Sequence, residues 1–148
     1  LQDAAALAAD ILVSPITPEI LSAREFKDGT MELLDRLEPS SALGVTLGPM
    51  KAVIYRQDRT TDARVIAAGI REDFITLKGR VTVLETVVPH AKAYKEAATL
   101  RTPVHRHERK RDGATPSAYT VMHALAWELI PSLEGTLVES FSGRERVA

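Results

Sequence analysis

The sequence predicts an α+β fold in which an antiparallel β-meander, over about residues 43–88, packs with N-terminal and C-terminal helices. Three observations carry this expectation: apolar residues at helical spacing before Pro39, a concentration of valine, isoleucine and threonine after Gly44, and a return to helix formers after Pro89. The chain's 148 residues suit a single globular domain spanning 1–148.

Ala4, Leu7, Ala8, Ile11 and Leu12 form one apolar stripe, so a short amphipathic helix is expected over 2–13, stopped by Ser14-Pro15. A second start follows, with Thr17 as N-cap, Pro18 at the first helical position, and Ile16 and Leu21 placed as a hydrophobic staple. This helix is expected near 17–37, interrupted at Asp28-Gly29, with Leu33 and Leu37 facing inward. Strands are then expected at Lys51–Gln57 and Ala63–Ile70 around a polar loop, and at Phe74–Lys78 and Arg80–Val88 around Gly79. A surface helix near 90–101, a polar loop over Thr102–Pro116 and a core helix near 117–131 capped by Ser117 complete the expected order. A brief alternation suggests one more strand at Thr136–Phe141. The expected core comprises Leu7, Ile11, Leu33, Leu37, Val53, Val65, Val83, Val121, Leu125 and Leu129.

A hydrophobic fraction of 45% and a charged fraction of 26% are those of a soluble globular chain, not of a disordered or membrane-embedded one. No apolar run approaches bilayer length and no export signal is read, so no membrane partner is expected. The absence of cysteine removes disulfides, thiolate metal sites and cysteine nucleophiles; it leaves the compartment open and leans toward an intracellular setting. The net charge of −1 conceals an asymmetry: Leu1–Met50 carries eight acids and three bases, whereas an excess of bases gathers between Lys92 and Arg111.

The segment 101–113 is the stretch whose side chains ask for explanation. Arg101, Arg106, Arg109, Lys110 and Arg111 share it with His105 and His107. Arginine forks match carboxylate and phosphate oxygens, so the loop is read as a contact with a polyanion or with another subunit, the acidic N-terminal third being one complement. No aromatic residue interrupts the cluster, which removes the base-stacking signal of a single-strand binder. His105 and His107, two apart, would place both rings on one side of an extended loop, as a pair of metal ligands requires. A third ligand from Glu108, Asp112, His90 or His123 has no fixed spacing to the pair, so no metal is assigned. His123 and Trp127 lie four apart beside the apolar stripe of the last helix and are read as a core or interface pair. No phosphate-binding glycine motif or nucleophile elbow is present, and no catalytic residue or cofactor is assigned.

The function expected from these residues is a non-catalytic assembly or binding module making protein–protein subunit contacts, its basic loop 101–111 also suited to a polyanion such as nucleic acid. The alternative is a small hydrolase or nuclease using His105, His107 and nearby acids, with or without a metal.

Overall fold

Met50 to Gln57 runs as one strand, buried at Met50 and through Ala52, Val53 and Ile54, and its neighbours on the sheet decide everything that follows. A computed structural model describes residues 2–76 and 79–134 of the chain. The chain divides into two compact units, 1–90 and 91–148. The strand expected at Thr136–Phe141 lies outside the described residues.

The first unit runs α1 (Gln2–Leu7), β1 (Leu12–Ile16), α2 (Ile20–Leu37), a 3-10 turn (Glu38–Leu43), β2 (Met50–Gln57), α3 (Thr61–Thr76), β3 (Val81–Val83) and β4 (Val88–Pro89). The fold is α+β, but its four-stranded sheet is parallel rather than an antiparallel meander. β1 pairs with β2 from Leu12↔Met50 to Ile16↔Ile54. β3 takes the first stretch of β2 and β4 the last, both parallel to it. The correction turns on residues 63–76. Ala63, Ala67, Ile70 and Phe74 are buried at intervals of four, three and four, a helical stripe, whereas Val65 stands 64% exposed. With a helix there, β2 and β3 are joined by a crossover, which is long enough for parallel pairing and too long for a hairpin.

Two further expectations shift for local reasons. Residues 12–16 form a strand rather than the end of the first helix, and Pro15 is accommodated because β1 pairs on one side only. Leu12 N–H donates to Pro49 O at 3.0 Å, so alternate residues Leu12, Ser14 and Ile16 turn their amides inward and Pro15 has no ladder bond to lose. The next helix begins at Ile20 with Glu19 as its cap and continues through Asp28-Gly29 without a break; Leu21, offered as a staple, is 72% exposed.

Ile16, Leu34, Met50, Ala52, Ile70, Phe74 and Val81 form the core between sheet and helices, with Phe26 set edge-on to Phe74 at 5.3 Å between ring centroids. Leu37 and Val53 are buried as expected; Leu7, Ile11, Leu33 and Val83 are half-buried.

Two glycines make opposite predictions. A Cβ on Gly48 would lie 2.6 Å from the backbone oxygens of Ala9 and Asp10, so its absence lets the chain entering β2 run against the chain entering β1. Gly69, inside α3, borders a groove of about 310 Å³ with Ile20, Ala23, Ile66 and Ile70, and a Cβ there meets nothing. Gly69→Ala is therefore expected to stabilise by about 0.5–1 kcal/mol. Gly48→Ala should destabilise by about 1–3 kcal/mol in the same denaturant melts, through overpacking that rigid backbone cannot relieve.

The second unit contains α4 (Lys92–Thr99), α5 (Val104–His107), α6 (Ala118–Leu129) and a 3-10 turn (Pro131–Leu133). Ser117 caps α6, its hydroxyl accepting from Thr120 N–H at 3.3 Å, as the sequence predicts. Ala93, Ala97, Ala118 and Val121 are buried, while Leu125 and Leu129 are half-buried. Among the described residues no helix is long and apolar enough to cross a membrane.

Candidate functional site

The basic segment is not a uniform loop. Pro103 precedes a single helical turn, α5, and that turn separates the two histidines that an extended chain would have aligned. His107 Nε2 lies 3.3 Å from Glu96 Oε2 on α4. His105 turns to α6, its ring 6.0 Å from that of His123 and nearly perpendicular to it. The two rings therefore serve different helices. Among the described residues no three histidine, aspartate or glutamate side chains gather as a metal would require.

Glu108 and Arg111 lock the segment to the start of α6. Arg111 donates from Nε to Glu108 Oε1 (2.9 Å) and from Nη2 to Oε2 (2.7 Å), and the Ala118 N–H donates to the same Oε2 at 2.8 Å. A carboxylate at a helix N-terminus satisfies an amide with no partner inside the helix and meets the positive end of its dipole. Ser117 Oγ donates to Arg109 O and Tyr119 N–H to Glu108 O, so backbone and side chains close the corner together. With both side chains more than four-fifths buried, Arg111 is a structural cation rather than a surface one.

Glu96 is held on both sides. Lys92 Nζ lies 2.7 Å from Oε1 and His107 reaches Oε2. The hydrogen bond from Lys92, then that from His107, keeps the Glu96 carboxyl below its ordinary range, and Glu96 in turn raises Lys92.

On α6, His123 is 6% exposed, its Nδ1 2.7 Å from Tyr119 O, which makes that nitrogen the donor. The Tyr119 ring lies 4.0 Å from it and Trp127 5.9 Å away on the other side. The pair His123 and Trp127 is thus seated in a packed column of rings within this unit. Burial, then His123, then Arg106, lowers the value of His105 below that of a free imidazole.

What remains on the surface is Arg101, Arg106, Arg109 and Lys110, all exposed, with Leu100 62% exposed beside them. Arg101 adopts φ 50°, a left-handed conformation uncommon for a side chain of its size. Lys92–Glu96 has a signal in the sequence, the i,i+4 spacing of opposite charges on a helix. The partnership of Glu108 with the start of a helix ten residues on has none.

The first unit carries the opposite charge. Glu25, Asp28, Glu32 and Asp35 recur at intervals of three, four and three along α2, all exposed and on the side away from buried Thr30, Leu34 and Leu37. Glu32 is paired with Arg36 at 3.6 Å and Asp35 with Arg80 at 2.6 Å. His90 belongs to this unit too, its Nδ1 2.8 Å from Asp58.

Compared with protein-family models, with curated proteins and with solved structures, the chain matches none.

Proposed function

We propose that the chain is a non-catalytic assembly module that associates with further copies of itself, the cationic corner of one copy meeting the acidic stripe of α2 on another. The observation that carries this reading is the presence, on one chain, of two exposed surfaces of opposite sign: Arg101, Arg106, Arg109 and Lys110 on one, Glu25, Asp28, Glu32 and Asp35 on the other. Complementary patches steer encounter and suppress wrong partners. Exposed Leu100 supports a protein over a nucleic acid, because an apolar side chain beside arginine suits a subunit contact and gains nothing from a phosphate backbone.

Sedimentation velocity tests the reading. The parent chain is expected to associate, and more weakly as salt rises, since surface charges are screened over about 10 Å at 0.1 M. Arg101→Glu with Arg106→Glu and Lys110→Glu should weaken association by about tenfold or more while leaving helix content unchanged. A parent that stays monomeric at low salt, yet binds duplex DNA with a steep salt dependence, would replace the subunit reading with the polyanion one.

A further inference from the structure

Four residues cannot hold a helical turn by themselves, so α5 depends on what grips it. On one flank the grip is His107 on Glu96 of α4, an ion pair whenever the imidazole is protonated. On the other it is His105 against His123 of α6, two imidazole rings 6.0 Å apart and nearly perpendicular. The charged and titratable groups on the elements that meet here are Lys92, Tyr94, Lys95 and Glu96 of α4, Arg106 and His107 of α5 itself, Glu108 and Arg111 of the following corner, and Tyr119 and Glu128 of α6, with Arg106 and His123 acting directly on His105. Glu96 is engaged by Lys92 and His107, and Glu108 by Arg111 and the start of α6.

We propose that α5 is a pH-responsive latch: proton uptake at the His105–His123 contact frees this turn from the His123 ring and shifts Arg106, while His107 stays tied to Glu96 and Glu108 keeps the following corner on α6. Two like charges at that spacing repel, and His123 is buried, so the first proton makes the second costlier and the contact less stable. The fold holds the His105 ring below its ordinary value, first by burial. Its packing is therefore fully effective above about pH 6.5 and is lost as pH falls through the lowered value. The regulatory part of the proposal rests on the assembly reading above, because Arg106 belongs to the cationic corner; the latch itself does not.

Trp127 is the only tryptophan in the chain, and its ring lies 5.9 Å from that of His123. Its emission therefore reports on this contact. In the dilute parent chain, titration from about pH 8 to about pH 5 should change the emission in one transition centred below about pH 6.5. His105→Gln should abolish most of that transition with the circular dichroism spectrum intact, and ring-proton NMR of the parent should show His105 titrating below an exposed histidine. A flat emission profile, the same transition in His105→Gln, or a His105 midpoint at or above about 6.5 would overturn the latch, whichever way the assembly experiment turns out. Sedimentation of the parent at about pH 8 and about pH 6, where carboxylates stay ionised, then reads the link: association should fall several-fold at the lower pH. An unchanged association constant alongside a normal fluorescence transition would overturn the link and leave the latch.

Discussion

Replacing Phe74 with alanine is expected to cost about 3–5 kcal/mol in denaturant melts followed by circular dichroism. Phe74 is 3% exposed and belongs to the core shared by α2, α3 and the sheet, where its ring meets that of Phe26 edge-on. The substitution removes a large buried area and leaves a space that rigid strands on one side cannot fill. Val65→Ala, in the same helix but 64% exposed, should change stability by less than about 0.5 kcal/mol. The contrast tests the parallel fold directly, because a strand over 63–70 would have buried Val65. Equal losses at the two positions would contradict the helix.

The second large effect is expected at Glu108. Its carboxylate accepts two hydrogen bonds from Arg111 and one from the Ala118 amide, in a corner where both charged side chains are less than one-fifth exposed. Glu108→Ala leaves a largely buried guanidinium without its counter-charge and an α6 amide without an acceptor, a loss of about 2–4 kcal/mol. Unfolding followed by Trp127 emission reads this unit. A loss below about 1 kcal/mol would show that water replaces the carboxylate and that the corner is open.

How far the sequence disclosed this arrangement depends on the range of the interactions that determine it. Ser117 as the cap of α6, α2 as a helix and the strand over Met50–Gln57 were legible, since each rests on contacts a few residues apart. Residues 63–70, with Arg64 as their only polar side chain, show no decisive period over so short a stretch. Their valine and isoleucine content argued for strand, while the longer stripe ending at Phe74 decided for helix. Once that element became a strand, the crossover vanished and the parallel sheet could not be inferred. Leu12–Ile16 failed in the same way, because a proline in a strand is tolerated only at an edge, and whether a strand is an edge depends on distant residues.

The basic segment was legible as a cluster but not as a set of roles. Arg111, His105 and His107 carry the same sequence signal as Arg101, Arg106 and Lys110; only the turn at Val104–His107 and the reach of Glu96, Glu108 and His123 divide structural members from surface ones. The acidic stripe could be seen as an excess of carboxylates in the N-terminal third. Its alignment on one side of α2 required a helix that runs unbroken through Gly29.

Charge exchange between two variants tests the assembly reading most directly. One variant carries Arg101→Glu, Arg106→Glu and Lys110→Glu; the other carries Glu25→Lys, Asp28→Lys and Glu32→Lys, sparing Asp35 because it anchors Arg80. Each alone should associate about tenfold or more weakly than the parent, since like charges then face each other across the contact. Mixing the two in equal amounts should restore a complex visible by sedimentation equilibrium at low salt, because reversed corner meets reversed stripe. A mixture in which both variants remain monomeric, under conditions where the parent associates, would contradict the assembly reading.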